Sequence, residues 1–494
     1  MFERNFLRVL ALLCLPSGIA FAQLSYNNTF QTTLPGESGG PAVADLNRDG
    51  KPDMAVVHGS TVSILFNQGG GTFGAPHDTA LATNSLPIQA LAADVNNDGK
   101  IDLVIAQLQP TELVVLLGNG NGTFQPAITI SLVNEPRAIG LGDFNNDGKV
   151  DVAVRECPSS TTDCDVAVYL GTGAGTFTLD TVLPAPGSST TNQSLVVADL
   201  NRDGTLDIAT AALGGSSSAP TAHFTVFFGN GNGTFRTPVV VPVAFTVPAG
   251  SIASPPSIVA GDFTGDATPD IGVETGSFCG GSACGQSTMN IFISNGAGGF
   301  TFKNKFNTAS VEDPRNWRAG DLNNDLKNDL VRFSGSLRTS SVKTWTNNGS
   351  GTFTSISNPY AGFEDGFVEI RDINLDGRHD FIQNGGLGES DVEVGLSQNG
   401  TPTCAPPPSN VLQAKICTPG STTSSTTFTV KASGNSPLGI KRLELWVDGT
   451  KRAQILNDQL LKTLTLSAGT HRITIVAVDQ YTGIAKTTRS VTVP

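Results

Sequence analysis

Short apolar runs alternate with polar turns along most of the chain. Each run holds three or four residues rich in Ala, Val, Ile and Leu, which is the pattern of a buried β-strand bounded by turn residues. A polar stretch of nine residues separates two such runs. In the clearest copies the runs before it are Ala42–Ala44, Ala90–Ala93 and Leu195–Ala198, and the runs after it are Met54–Val57, Leu103–Ala106 and Val152–Val154.

A third apolar run and a Gly-rich turn complete each unit. The turn usually ends in Thr-Phe, as in LVVLLGNGNGTF (113–124) and FTVFFGNGNGTF (224–235). One unit is therefore strand, polar loop, strand, connection, strand, Gly turn and strand, which predicts a four-stranded antiparallel sheet. The Thr-Phe pair is predicted to open the fourth strand.

The unit recurs seven times, because the polar stretch begins at residues 45, 94, 143, 199, 262, 321 and 372. A spacing of 49 to 63 residues with four strands per unit favours a β-propeller over a solenoid of thinner repeats. The predicted fold is all-β, with a seven-bladed β-propeller of four-stranded blades over residues 23–400.

The seventh unit lacks a Thr-Phe strand of its own. After Asp391–Leu396 the chain continues into TPTCAPPP, whereas Asn27–Gln31 (NNTFQ) matches Asn121–Gln125 (NGTFQ). We therefore expect Phe30–Leu34 to form the fourth strand of the seventh unit and to close the ring, which would remove an exposed sheet edge. An open arc or two separate sheets is the alternative.

The composition changes beyond Thr401. Residues 401–410 are predicted to form a stiff Pro-rich linker, and residues 411–494 an Ig-like β-sandwich. Gly469–Asp479 resembles a strand of bacterial Ig-like modules. The predicted strands are Thr426–Lys431, Arg442–Val447, Leu461–Leu466, His471–Val478 and Ala485–Val493, with a hairpin turn at Asp448-Gly449.

The nine-residue stretches carry oxygen-bearing side chains at positions 1, 3, 5 and 9, and usually Gly at position 6. Several oxygens around a sharp turn are what a hard cation such as calcium needs, and position 7 of such loops ligates through its backbone carbonyl. We predict up to seven structural Ca²⁺ sites. The predicted ligands are Asp45, Asn47, Asp49, Lys51, Asp53; Asp94, Asn96, Asp98, Lys100, Asp102; Asp143, Asn145, Asp147, Lys149, Asp151; Asp199, Asn201, Asp203, Thr205, Asp207; Asp262, Thr264, Asp266, Thr268, Asp270; Asp321, Asn323, Asp325, Lys327, Asp329; and Asp372, Asn374, Asp376, Arg378, Asp380.

These loops are not EF-hands, which need a Glu at position 12 and flanking helices. The alternative to metal binding is a series of metal-free Asp/Asn/Gly turns. Two copies depart from the pattern: Ala267 and Leu326 replace the turn Gly, and Thr264 replaces Asn in the fifth loop. The occupancy of the fifth and sixth loops therefore stays open, and the bulky Leu326 makes the sixth the most doubtful.

At this point the repeats resemble the FG-GAP/VCBS family, whose seven-bladed propeller is known from the head of integrin α chains. The resemblance rests on the metal loops and on Phe73-Gly74-Ala75-Pro76, and it covers about residues 24–400. It implies that the calcium loops brace the propeller on the face away from the ligand.

Residues 1–22 are predicted to be a secretory signal peptide. Arg4 and Arg8 precede the apolar run Val9–Leu15, and Ala20–Ala22 has the small-x-small form of a cleavage site, so the mature chain is expected to start near Gln23. No other stretch is apolar for long enough to span a membrane. We expect an extracellular or cell-surface protein.

The remaining six cysteines form three pairs that are close in sequence. In an oxidising compartment we expect the disulfides Cys157/Cys164, Cys279/Cys284 and Cys404/Cys417, although fifteen connectivities are formally open. The net charge is −13, and the seven loops hold about half of the 43 acidic residues, so bound divalent ions would largely neutralise it. No basic run suggests a nucleic-acid partner.

Ligand binding is expected on the edge opposite the metal loops. Antiparallel strands place the metal loops and the Gly turns on one side and the connections between second and third strands on the other. Those connections vary most in units four and five, at GGSSSAPTAH (214–223) and TGSFCGGSACGQS (275–287), and the third holds the Cys157/Cys164 pair. Insertions on a rigid scaffold often carry binding; tolerated surface drift is the equally open alternative.

No catalytic motif is convincing. Gly36–Pro41 resembles the GxSxG and GDSGGP motifs of serine hydrolases. However, no His precedes Ser38, and the sequence predicts no strand before it and helix after it. The five histidines have no ligand spacing, and His379 is expected to be a solvated loop residue. We therefore predict a non-catalytic adhesion or recognition module for an extracellular glycan or protein. The alternatives are a polysaccharide-acting hydrolase or lyase on a propeller scaffold and a structural or scaffold role.

Overall fold

The computed structural model describes residues 26–35, 39–82, 84–158, 163–188, 195–216, 219–248, 250–278, 287–308, 317–336, 339–356, 361–362, 366–385, 389–398, 404, 406–407, 411–436, 440–456, 458–479 and 483–494. All named elements in these ranges are β-strands. They contain no helix that could cross a membrane. The predicted signal peptide and most of the predicted linker lie outside the described residues.

Most of the strands form four-stranded antiparallel groups that follow the repeat units. Unit 1 holds Ala42–Ala44, Asp53–His58, Thr61–Leu65 and His77–Ala80, with a small hairpin of Asn67–Gly69 and Thr72–Phe73; unit 2 holds Pro87–Ala93, Asp102–Gln107, Glu112–Leu116 and Ile128–Ser131; unit 3 holds Glu135–Gly142, Asp151–Cys157, Asp163–Gly171 and Phe177–Ser188; unit 4 holds Leu195–Ala198, Asp207–Ser216, Ala219–Phe227 and Val239–Val243. Unit 5 holds Ile252–Gly261, Asp270–Phe278, Ser287–Ser294 and Phe300–Asn307; unit 6 holds Trp317–Gly320, Asp329–Ser336, Thr339–Asn347 and Phe353–Ile356, with Ala361–Gly362 added. The pair Ser188–Leu213 joins units 3 and 4 into one eight-stranded sheet.

The seventh unit takes its fourth strand from the start of the described chain. Its own strands are Gly366–Arg371, Asp380–Gly385 and Glu389–Ser397, and Tyr26–Pro35 pairs antiparallel with the third of them. The register places Phe30 opposite Val394 and Leu34 opposite Ser390. The expected pairing of the N-terminal strand with the seventh unit is therefore confirmed.

Two details of the strand prediction need correction. The second strand of every unit begins at the ninth loop residue itself, for example at Asp53, because that side chain is anchored as described below. The Thr-Phe pair does not open the fourth strand in units 1, 2 and 4. In units 2 and 4 the Phe instead makes an isolated bridge, Gly118 with Phe124 and Gly229 with Phe235, and the strand follows a few residues later.

The apolar core of the repeats lies between neighbouring sheets. One cluster combines Ala55 and Ile64 of unit 1 with Leu103 and Val114 of unit 2, and the others combine later units in the same way. A further cluster combines residues of units 7 and 1, with Leu34, Val392 and Val394 beside Met54 and Leu65. Each of these sheets therefore buries both faces, which explains why the second strands are apolar almost throughout.

One sheet interface also holds a buried ion pair. Arg332 of unit 6 donates to Glu274 of unit 5, and both side chains are almost completely buried. Trp317 Nε1 donates to the same carboxylate at 2.8 Å, and the Arg332 guanidinium lies 5.3 Å from the Trp317 ring centroid. The pair therefore links two units through charge as well as packing.

The C-terminal residues form two antiparallel sheets around a separate apolar cluster. Sheet A holds Gln413–Thr418, Thr427–Asn435 and Gln459–Thr465, and sheet B holds Thr450–Ile455, Ile440–Val447, Gly469–Asp479 and Ile484–Val493. All five predicted strands are present, and Gln413–Thr418 and Thr450–Ile455 were not predicted. The disulfides Cys157–Cys164 and Cys404–Cys417 are confirmed, whereas Cys279/Cys284 lies outside the described residues.

The buried pair generates a stability prediction. Arg332→Met should lower the free energy of unfolding by about 3 to 5 kcal/mol, because it leaves the Glu274 carboxylate buried without its cation. The double variant Glu274→Met/Arg332→Met should lose less than Arg332→Met alone. Urea unfolding of the two variants and the parent measures this, and an equal or larger loss in the double variant would contradict it.

Candidate metal-binding loops

The aspartate at position 9 ties each loop to the rest of its unit. In the first loop Asp53 Oδ2 accepts the amide of Leu46 at 3.1 Å, and Oδ1 accepts the amide of Asn67, just past the third strand, at 2.9 Å. The other six loops repeat both bonds. This carboxylate is fully buried in all seven copies, which are Asp53, Asp102, Asp151, Asp207, Asp270, Asp329 and Asp380.

The aspartate at position 1 holds the sharp turn. Asp45 Oδ1 accepts the amide of Asp49 at 3.1 Å, and Oδ2 accepts the amide of Gly50 at 2.9 Å. Gly50 has a φ of 88°, in the left-handed region that favours glycine. Leu326 and Ala267 adopt the same conformation, with φ of 68° and 65°.

Both substituted turns keep the bond to position 1. The Leu326 amide donates to Asp321 at 2.7 Å, and the Ala267 amide to Asp262 at 2.8 Å. The bulky Leu326 side chain therefore adds backbone strain to the turn of the sixth loop but leaves the conformation of the turn unchanged. The fifth loop differs elsewhere, because Thr264 Oγ1 lies 3.4 Å from Asp270 Oδ2 and does not accept the position 5 amide as Asn does.

Positions 3 and 5 form a chain of local hydrogen bonds. Asn47 Oδ1 accepts the amide of Asp49, whose own Oδ1 accepts the amide of Lys51, both at 2.9 Å. The Lys51 ammonium also pairs with Asp49 Oδ2 at 2.7 Å. Lysines at position 7 make the same pair in loops 2, 3 and 6, and Arg378 does so in loop 7.

The predicted ligand residues therefore lie together in each loop, with their oxygens engaged locally. Within the described ranges, no three His, Cys, Asp or Glu side chains are grouped as a metal site. The donor set nonetheless fits a hard divalent cation, because it offers three carboxylates, an amide or hydroxyl oxygen and a backbone carbonyl per loop.

The charge within each loop supports that fit. Burial raises the pKa of the position 9 carboxyl, against the effect of its two backbone amides, and repulsion from positions 1 and 5 raises it further. The pKa rises to about 7 in Asp53, Asp207, Asp270 and Asp380, and to about 6 in Asp102 and Asp151. A divalent cation would offset this repulsion.

The Gly turns of units 2, 4 and 6 also bond to the loop of the preceding unit, at position 2. The amide of Gly122 in unit 2 donates to the Leu46 carbonyl at 3.0 Å, and Gly351 in unit 6 donates to Phe263 at 2.8 Å. In unit 1 the Asn67 side chain makes this contact with Ile373 of unit 7, at 2.9 Å. These hydrogen bonds between units were not predicted from the sequence. The Asn, Gly or Ser that follows each third strand recurs where they form and could have indicated them.

Glycine is also required at two positions where the Gly turn approaches the metal loop of the same unit closely. A Cβ on Gly118 would lie 2.1 Å from the Ile101 carbonyl oxygen, and one on Gly171 equally close to that of Val150. The turn and the metal loop of one unit therefore pack backbone against backbone.

The opposite edge of the units consists of hairpin ends. The fourth-unit segment, expected as an inserted loop, largely extends the strands, with Gly214 opposite Thr221 and Ser216 opposite Ala219. The fifth-unit strands likewise reach Phe278 and resume at Ser287, and the residues between them lie outside the described part of the chain. The expectation of an inserted loop is thus corrected to a lengthened hairpin in unit 4, whereas most of the fifth-unit segment lies outside the described residues.

The predicted solvation of His379 is wrong. Its Nδ1 lies 3.0 Å from the Asp321 carbonyl oxygen, and its Nε2 lies 3.4 Å from the Asp458 carboxylate of the C-terminal sheets. Asp458 is distant in sequence, so no local pattern indicates this contact. Ser38 lies outside the described residues.

Comparisons with known proteins identify the repeat. Residues 45–105, 94–154 and 158–210 match the FG-GAP-like repeat model, and the first two matches each run from one metal loop through the next. The chain therefore carries FG-GAP-like repeats. No curated protein matches it significantly.

Similar solved structures are distant. A lectin of Agrocybe aegerita, described as recognising non-reducing terminal N-acetylglucosamine, is 22% identical, with 67% of this chain and 81% of that chain covered and a TM-score of 0.42. Saccharomyces cerevisiae Sqt1 is 12% identical, with 76% and 100% covered and a TM-score of 0.44. Fibronectin(III)-like modules of Clostridium thermocellum CbhA are 15% identical, with 37% and 93% covered and a TM-score of 0.16.

The turn of the sixth loop yields a reciprocal test. Leu326→Gly should raise the free energy of unfolding by about 1 kcal/mol, because it removes the cost of a left-handed conformation in a branched residue. Gly99→Leu should lower it by about as much; a Cβ at Gly99 meets nothing within 4 Å, so only backbone strain changes. Urea unfolding measures both, and changes of the same sign would contradict the interpretation.

The raised pKa values predict the pH dependence of the metal-depleted protein. Burial raises the pKa of every position 9 carboxyl above its ordinary value of 3.8, to about 6 or 7 in six loops and well above 3.8 in Asp329, so ionisation costs more in the folded state. Stability should therefore fall as the pH rises from about 4 to 7. Calcium should raise the melting temperature more at pH 8 than at pH 5 in scanning calorimetry; an equal or larger rise at pH 5 would contradict this.

Proposed function

We propose that this chain is an exported, calcium-stabilised seven-bladed β-propeller with a C-terminal Ig-like domain. It acts as a non-catalytic recognition or adhesion module for an extracellular glycan or protein. The calcium is structural, and the hairpin ends of the units carry the ligand. The alternative of polysaccharide cleavage is decided by the same experiment.

The ring is supported by the contacts between units 7 and 1. Asn384 of unit 7 donates to the Gly39 carbonyl at 2.8 Å, and Asn67 of unit 1 donates to the Ile373 carbonyl. The apolar cluster around Leu34 and Met54 spans the same junction. These contacts repeat the pattern found between consecutive units, as closure of a propeller requires.

Calcium is supported by the chemistry of the loops. Positions 1, 3, 5, 7 and 9 would hold the ion through oxygen atoms, and the ion would neutralise carboxylates that otherwise repel one another. The residues themselves hold the turn, through Asp45 and its equivalents, and join loop to strand, through Asp53 and its equivalents. The two disulfides favour an oxidising compartment.

The observation that carries the location of binding is the position of the C-terminal sheets. They contact the metal-loop side of the repeats: Gln459 donates to the Gly377 carbonyl, and Asp458 lies beside His379. The hairpin ends lie on the other edge, where strand lengths differ between units. That edge is therefore the one available to a large ligand.

A glycan and polysaccharide screen of the calcium-loaded protein tests the proposal. We expect binding without turnover. The test variant removes Gly214–Thr221 and closes the hairpin with Asn-Gly. This deletes the end of the hairpin between the second and third strands of unit 4, beyond the Leu213–Ala222 pair, and should abolish binding. The melting temperature should stay within a few degrees of the parent, because none of the removed residues that the structure describes carries a core side chain.

A matched control replaces Gly59-Ser60, the short hairpin end of unit 1, with Asn-Gly. It should retain binding, because that end is the same length as before. Release of oligosaccharides from any polysaccharide would favour the enzyme. Loss of binding in the control as well as in the shortened variant would overturn the assignment to the unit 4 hairpin.

A further inference from the structure

The C-terminal sheets contact the metal loops at an equivalent atom in two units. Gln459 Nε2 donates to the carbonyl of Gly377, and Gln454 Nε2 lies 3.5 Å from the carbonyl of Ala267. Gly377 and Ala267 both occupy position 6, in loops 7 and 5. Gln459 is 3% exposed, so its contact is buried. The C-terminal sheets thus contact the turns of loops 5 and 7 themselves.

Charged groups surround these two contacts. His379 of loop 7 lies between the Asp321 carbonyl of loop 6 and the Asp458 carboxylate. Arg371, at the end of the strand before loop 7, donates to the Ser436 carbonyl at 3.1 Å. Burial and Arg442 lower the pKa of Lys441 to about 8, against the attraction of Asp199 and Asp207 in loop 4. The C-terminal sheets therefore contact loops 5 and 7 directly and loop 6 through His379, and the carboxylates of loop 4 attract the Lys441 ammonium.

The connection to the repeats is fixed at the same place. The amide of Cys404 donates to Gln459 Oε1 at 3.3 Å, and the Cys404–Cys417 disulfide joins this residue to sheet A. A cavity of about 740 Å³ lies between the first strands of the units and the C-terminal sheets, with Gln89, Arg318 and Lys441 among its lining residues. Docking of the sheets thus closes this side of the cavity.

The docked atoms depend on the shape of the loops. A position 6 carbonyl points outward only while that residue keeps its left-handed conformation, with φ of 86° in Gly377, and while its amide stays bonded to position 1. Three carboxylates in one loop repel one another unless a cation lies between them. The turn that would hold the metal is therefore also the surface that the C-terminal sheets contact.

We propose that the C-terminal sheets are an intramolecular ligand of the metal-loaded loops, docked when loops 5 and 7 hold a divalent cation and released when the cation is removed. This inference rests on the proposed calcium binding. By linkage, docking strengthens metal binding in these loops, since each stabilises the same conformation. Loops 2 and 3 make no such contact among the described residues, so we expect their metal affinity to be independent of docking.

Small-angle X-ray scattering of the full chain, with calcium and after metal depletion, tests the inference. The expected result is a larger radius of gyration after depletion, reversed by calcium. The double variant Asp458→Ala/Gln459→Ala should show the larger radius in both conditions. The matched control, Lys462→Ala/Lys486→Ala, changes two exposed residues of the same sheets and should behave like the parent.

A calcium titration by isothermal calorimetry on the same samples separates the two proposals. Calcium binding with an unchanged radius, in both parent and double variant, overturns the docking inference and leaves the calcium sites standing. Absence of calcium binding overturns both. If the inference holds, the double variant keeps the affinity of part of the sites and binds the remainder more weakly, whereas the control matches the parent throughout.

Discussion

The repeats depend on a buried carboxylate that accepts two backbone amides from different segments. One amide belongs to the metal loop and the other to the chain leaving the third strand, as at Asp53 with Leu46 and Asn67. A buried amide without an acceptor is costly, so this aspartate cannot be exchanged for an apolar residue of similar size. Its presence at the ninth position of every copy thus has a structural cause that is separate from metal coordination.

The same loop serves three neighbours at once. Its ninth residue holds its own unit, its second carbonyl in loops 1, 3 and 5 accepts the Gly turn of the next unit, and its sixth carbonyl in loops 5 and 7 meets the C-terminal sheets. A disturbance of one loop therefore reaches an adjacent sheet interface. The hairpin ends are tied differently, by the Ser188–Leu213 pair between units 3 and 4 and by the Cys157–Cys164 disulfide, and their lengths differ between units.

Much of this arrangement could be predicted from local sequence. The period and the alternation of apolar runs indicated the four-stranded units, and the leftover Thr29-Phe30 indicated where the N-terminal strand would pair. The features that were missed or wrongly predicted depend on contacts between residues that are far apart in sequence. The Arg332–Glu274 pair, for example, joins residues 58 apart. The contact of His379 with Asp458 likewise depends on how two independent sheets meet.

The pairing of Tyr26–Pro35 with Glu389–Ser397 bears on the order of folding. The strand made first has its partner near the end of the repeats, so it must wait while six other units are synthesised. Closing so long a loop is slow compared with forming the hairpins within a unit. During that time the third strand of the last unit presents an open edge to other chains. Assembly of this protein is therefore most exposed to strand exchange between copies at its final step, when the third strand of the seventh unit still lacks its partner.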